Sequence, residues 1–203
     1  MDIAITMILA SVFGLLVSWC AADKPLKREQ IAGLLGDAGW QRKMVLLFAA
    51  MMGIGAYGLW LFGMGRDLVG FLLLAAYLVS ITPEDVKTHT ISSSTTCLYL
   101  LLFVLFKGSG FEIASIVDGL MGAATGFILL GIPYLVRKES IGWGDVTTVS
   151  VCGILLGFPH VIYFILRAFF AIFVYSVVQL LRKKVNLKSE TAFAPFLLFA
   201  ALI

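Results

Sequence analysis

The sequence predicts an all-α, polytopic membrane helical bundle of about eight spans, and three observations carry that reading. Hydrophobic residues make up 61% of the 203 residues, whereas charged residues make up only 13%, about half of the roughly 25% typical of a soluble domain. The mean hydropathy is +1.02. Apolar runs able to cross about 30 Å of hydrocarbon recur along the whole chain. Such a chain packs its helices against one another and against lipid. The formal net charge of +3 says little by itself; where the basic residues fall says more.

The apolar runs lie near residues 2–20, 44–63, 68–84, 92–107, 113–136, 143–158, 160–181 and 191–203. The first has no basic stretch before it and no A-x-A site after it, so it reads as a retained span and not a cleaved signal peptide. Residues 21–43 hold Pro25, Gly33, Gly36 and Gly39 among mixed charges. They read as a loop with one short amphipathic turn around Arg28–Leu35, too short to bury a core of its own. The third span ends in a polar segment, with Pro83 as helix breaker, a solvated Glu84, and Ser92, Ser93 and Ser94 capping the fourth. The sixth span is short and opens directly after the basic cluster Arg137-Lys138. The seventh contains Arg167, costly if unpaired at membrane depth, and Asp118 in the fifth is its expected partner. Glu190 starts the short eighth span; partial insertion there would reduce the count to six or seven. Residues 1–203 thus read as a single membrane domain.

Orientation follows from the Lys/Arg bias. With the N-terminus outside, Lys24, Lys27, Arg28, Arg42, Lys43, Lys87, Arg137, Lys138, Arg182, Lys183, Lys184 and Lys188 fall inside, which is twelve of the fifteen basic residues. The same arrangement puts Asp85 and Asp145 at the cytoplasmic ends of the third and sixth spans. Cys20, Cys97 and Cys152 form no CxxC pair. They support neither a zinc site nor a disulfide framework and read as small packing residues.

The chemistry concentrates on two aspartates. An ionised carboxylate is expensive near a bilayer and is kept there mainly for a task. Asp145 follows Ile141-Gly142-Trp143-Gly144, and glycines at that position permit close approach by an extended peptide. Taken alone, the motif also fits an acidic first-turn residue favoured by the helix macrodipole. Asp85 lies in Thr82-Pro83-Glu84-Asp85-Val86-Lys87-Thr88-His89-Thr90-Ile91-Ser92. Two such acids on one membrane face suit a water-activating dyad. Like charges held close share a proton as a coupled unit, so one carboxylate takes a proton from water while the protonated member polarises a carbonyl. Neither aspartate is assigned its role by the sequence. Glu84, His89 and Lys87 are candidate modulators. No metal or other cofactor is expected, because His89 and His160 fall on opposite faces.

Asp85-x5-Ile91 with Gly142-x-Gly144-Asp145-Val146 resembles the type IV prepilin peptidase family and its preflagellin relatives, GxGD aspartyl proteases of prokaryotic inner membranes. Gly119, Gly122 and Gly126 match that family's glycine-rich span before the GxGD loop. Ala192-Phe193-Ala194-Pro195-Phe196-Leu197 is similar to its last span. The likeness covers residues 70–203, the expected peptidase core. Two positions depart from the pattern: Ser92-Ser93 stand where Pro-Asn is usual, and Thr147 stands where lysine is usual.

The resemblance implies an endopeptidase that removes a basic leader from a prepilin-like precursor at the cytoplasmic membrane face. Asp85 and Asp145 would be catalytic, with Gly142, Gly144, Ile91 and Pro195 supporting the motifs. The expected partners are that substrate and the lipid bilayer, with no nucleic acid and no oligomeric state specified. Bifunctional family members insert a cytoplasmic domain with paired CxxC motifs after the first span, for N-methylation. Here residues 21–43 stand in its place, so peptidase activity without methyltransferase activity is expected. A presenilin-like protease would need a Tyr-Asp pair and a Pro-Ala-Leu motif, and neither occurs. The non-enzymatic alternative is a small transporter or assembly factor whose aspartates bind a cation or proton. Transport sites, however, gather near the midplane at broken helices.

Overall fold

The structure, a computed structural model, describes residues 38–109, 113–136, 141–182 and 191–203, with side chains from Ala49 onward. Seven helices are seen among them: α1 Ala38–Phe62, α2 Arg66–Thr88, α3 Ser93–Gly108, α4 Ile113–Val136, α5 Trp143–Leu156, α6 His160–Leu181 and α7 Ala194–Leu202. There is no strand among the described residues. The first expected span, Cys20, residues 21–37 of the expected loop, and Arg137, Lys138, Lys183, Lys184, Lys188 and Glu190 lie outside them. Helix α1 begins at Ala38, so it takes up the end of the stretch that reads as a loop.

Three of the described helices, α2, α4 and α6, are long and apolar enough to cross a membrane. Helices α3 and α5 and the 49–62 part of α1 are apolar but shorter. The 14 residues of α5 rise about 21 Å and α7 less, both short of a hydrocarbon core of about 30 Å. Apolar side chains on α4 and α6, among them Leu120, Leu135, Phe170 and Leu181, stay exposed, as a lipid-facing surface requires.

The chain divides between Ala76 and Tyr77 into two compact units. In the first, α1 packs through Gly58 on α2: a Cβ there would lie 2.7 Å from the Phe71 ring and 3.0 Å from Leu68. The second unit is built on α5, whose Val146, Thr148, Val149 and Cys152 are fully buried. Its closest neighbour is α4. A Cβ at Gly122 would collide with the Gly153 carbonyl, and one at Gly119 would stand 2.7 Å from the Ile154 carbonyl oxygen. Small residues thus let the two backbones touch, which is how helices gain packing energy where no water drives them together. Tyr77, Tyr99 and Phe103 also cluster within this unit, with ring centroids 4.9–5.9 Å apart, and the Tyr77 hydroxyl reaches Thr148 of α5. Helices α6 and α7 pair through Phe169–Phe193 at 6.0 Å and Tyr175–Phe196 at 5.3 Å.

Four local expectations need correction. Pro83 does not end α2, which runs on to Thr88. The turn beyond the proline is tied down from outside, as Asp85 and Glu84 both accept backbone N–H groups of distant residues. Those contacts offset the one ladder bond that proline removes. Ser92 is the residue before α3, but its side chain makes no capping bond; its N–H binds the Glu84 carboxylate at 3.2 Å instead. Glu84 is therefore half-buried and bound, not solvated. Finally, Asp118 pairs with Lys107 at 3.4 Å, not with Arg167, which is exposed on α6. Its other oxygen accepts the Phe158 N–H at 3.0 Å, and Gly157, at φ 75°, leaves that carboxylate its space.

The α4–α5 contact predicts a sharp contrast between two glycines. Gly122→Ala should destabilise the detergent-solubilised protein by about 1–3 kcal/mol, the usual cost of overpacking. Gly53→Ala, in α1 with nothing within 4 Å of the new methyl, should gain up to about 1 kcal/mol from helix propensity. Equal thermal melting of the two variants would show that the backbones are not in contact.

Candidate active site

Asp85 sits near the end of α2, beyond the proline, and only 4% of its surface is exposed. Its carbonyl accepts the His89 N–H at 2.9 Å, and His89 ends the helix at φ 51°. Its carboxylate accepts the Ala194 N–H at 2.7 Å, across 109 residues of sequence. Ala194 opens α7, so the carboxylate takes the helix's first N–H and faces the positive end of its dipole. Pro195 suits the following position because it has no N–H to leave unpaired there.

Asp145 lies in the first turn of α5, which Gly142 precedes in an extended conformation. Its N–H returns to the Gly142 carbonyl at 3.1 Å. A Cβ at Gly142 would stand 3.3 Å from the Asp145 carboxylate, so the glycine keeps that oxygen uncrowded. A Cβ at Gly144 would stand 3.3 Å from Ile91. The isoleucine six residues after Asp85 therefore packs on the glycine just before Asp145. Thr147 Oγ1 donates to the Gly144 carbonyl at 2.9 Å, within the same first turn.

A cavity of about 580 Å³ joins these residues. Asp85, His89, Ile91, Gly142, Gly144 and Asp145 all line it, so both carboxylates belong to one cavity. Glu84, Lys87 and Pro195 are not part of its wall. Glu84 holds the start of α3, Lys87 is exposed at the end of α2, and Pro195 sits next to the donor that binds Asp85. The remaining wall divides by chemistry. Thr90, Ser93, Thr96, Thr147 and Ser150 are polar; Cys97, Leu100, Phe127, Trp143 and Val151 are apolar. Trp143 stacks edge-on with Phe127 at 6.1 Å and leans on Tyr134 at 5.4 Å. Among the described residues, no three His, Cys, Asp or Glu side chains are grouped as metal ligands would be.

The motifs alone did not point to the Ala194 N–H, the polar wall or the aromatic pair. Trp143 lies inside the GxGD element and Ala194 precedes Pro195, so both were adjacent to a signal. Thr96 and Phe127 sit in apolar runs with nothing to set them apart.

Comparison with known proteins adds an independent finding. Residues 71–177 match the model of the type IV leader peptidase family, a stretch that contains both aspartates. The prepilin leader peptidase/N-methyltransferase of Pectobacterium carotovorum subsp. carotovorum is 28% identical over 162 residues, covering 77% of this chain and 57% of that relative. No solved structure matches.

The contact between Ile91 and Gly144 is testable by coupling. Gly144→Ala should cost about 1–2 kcal/mol in thermal melts, since a packed neighbour must yield. In an Ile91→Ala background that cost should fall by half or more, because contacting residues are not additive. Additive costs would mean that the two residues do not touch.

Proposed function

The chain belongs to the type IV leader peptidase family, and on that premise we propose that it is a multi-pass membrane aspartic endopeptidase that removes the basic leader of prepilin-like precursors. Asp85 and Asp145 are its catalytic pair. The observation that carries this reading is that the two acids, remote in sequence, line one cavity. The whole relative exceeds the matched region, which is 57% of its length, so activity and substrate are inferences about this chain.

In the proposed reaction one carboxyl is protonated and the other ionised, as expected for two acids sharing a site. The ionised member takes a proton from a water held between them, and the water oxygen adds to the scissile carbonyl. The protonated member hydrogen-bonds the carbonyl oxygen as charge develops there. Collapse of the tetrahedral intermediate breaks the C–N bond; the amine leaves with a proton, and the dyad recovers its single shared proton. The substrate binds extended, which Gly142 and Gly144 favour by leaving backbone space beside Asp145. The apolar wall at Leu100, Phe127, Trp143 and Val151 fits the hydrophobic segment that follows the cut. Glu84 and His89 act indirectly, through the α3 start and the Asp85 carbonyl; Lys87 tunes local charge from the surface.

The proposed topology has about eight spans in a GxGD-type fold, with the active site at the cytoplasmic face. The Lys/Arg distribution supports it. The relative's name joins peptidase to N-methyltransferase. For this chain we propose cleavage without methyl transfer, because residues 21–43 contain no paired cysteines to build a zinc-held domain.

One mass-spectrometric assay with purified protein, a prepilin-like peptide and S-adenosylmethionine tests both parts. The chain should release a product with a free, unmethylated N-terminus. Asp85→Asn and Asp145→Asn should each lower cleavage at least about a hundredfold, the scale of general acid–base catalysis, while the protein stays folded and inserted. Near-normal cleavage by either variant removes that aspartate from the mechanism, and a donor-dependent gain of one methyl group removes the second claim.

A further inference from the structure

From the cavity wall inward runs a buried polar cluster that the reaction does not use. Tyr77 on α2, Thr96 on α3 and Thr148 on α5 are 0%, 9% and 0% exposed. The Tyr77 hydroxyl lies within hydrogen-bond distance of both Thr96 Oγ1, at 3.3 Å, and Thr148 Oγ1, at 3.1 Å, and its single hydrogen is donated to one of them at a time. Thr96 Oγ1 in turn donates to the Ser92 carbonyl at 3.1 Å, and the Ser92 N–H binds Glu84, the neighbour of Asp85. One phenol therefore links three helices and closes a polar circuit back to the residue beside Asp85.

Packing alone does not account for that hydroxyl. The ring contacts with Tyr99 and Phe103 at 4.9 and 5.9 Å would be made equally well by phenylalanine. A hydroxyl in apolar surroundings is costly to bury unless it is bonded, and here both partners are themselves buried threonines. Their placement is informative. Thr148 lies one helical turn after Asp145, Tyr77 lies about two turns before Asp85, and Thr96 lines the cavity itself.

We propose that Tyr77 is a positioning residue: its hydroxyl, clamped between Thr96 and Thr148, sets the spacing between the helix that carries Asp85 and the helix that carries Asp145. The functional half of this inference rests on the dyad reading above. The geometric half does not, and the test separates them.

The geometric arm uses Asp85→Cys with Asp145→Cys, in a chain whose Cys20, Cys97 and Cys152 are replaced by alanine. The rate of disulfide formation on mild oxidation reports the spacing of the two positions whether or not the protein is a protease. Adding Tyr77→Phe should slow cross-linking at least about fivefold, and Thr148→Val should do the same. Equal rates with and without the hydroxyl overturn the proposal. The functional arm follows cleavage by otherwise native protein. Tyr77→Phe and Thr148→Val should lower kcat about tenfold with KM within twofold, as expected when reacting groups are slightly misplaced, and Thr148→Ser, which keeps the hydroxyl, should restore it. A change in KM alone, or a Thr148→Ser variant as slow as Thr148→Val, also overturns it. If Asp85→Asn and Asp145→Asn leave cleavage intact, the dyad reading fails, and the cross-linking result still decides the clamp.

Discussion

A buried carboxylate at the end of a largely apolar helix must be satisfied, and the Asp85–Ala194 hydrogen bond meets that need. At 2.7 Å, with its acceptor 4% exposed, it satisfies a carboxyl oxygen where a buried polar group left unbonded would be costly. Its consequences reach both partners. It fixes the turn of α2 beyond Pro83, and it fixes where α7 starts. It ties α7, the last described helix, to the cavity wall that Asp85 lines, and through the ring contacts of α7 it ties α6 as well.

The opposite wall depends on a different constraint. Helix α5 carries Asp145 at its first turn and is packed along its length by the glycine face of α4. Backbone contact of this kind leaves little room for tilt or slide, so a 14-residue helix, too short to span a bilayer alone, is still held firmly. The Ile91–Gly144 contact then brings the segment after Asp85 onto the residue before Asp145. Two motifs that look independent in the sequence meet through one side chain and one missing side chain.

The helices were legible because composition and hydropathy are strong signals in a membrane chain. The stretches that read as spans two to seven each contain a helix, with ends shifted by a few residues. The errors came where tertiary contacts overrode local chemistry. Pro83 is a helix breaker by propensity, but bonds from Ser92 and Ala194 hold the turn past it. Glu84 looks like a solvated neighbour of Asp85, yet Ser92 claims it. Asp118 looks like a partner for Arg167, yet Lys107 is the residue that reaches it. Such pairings depend on which faces of two helices meet, and hydropathy does not encode that. The aspartates were visible because charge is rare in this chain. Tyr77, Thr96 and Thr148 were not, since a tyrosine or threonine in an apolar run looks the same whether it is packed or bonded.

In the proposed reaction Asp85 and Asp145 act together on one water and one carbonyl. The most direct measurement is an experimental structure of the chain bound to a peptide in which a hydroxyl-bearing tetrahedral isostere replaces the scissile bond. This hydroxyl should sit in the cavity within about 2.6–3.2 Å of both carboxylates, the reach of proton transfer. A hydroxyl that contacts only one aspartate, or an inhibitor seated away from both, would contradict it.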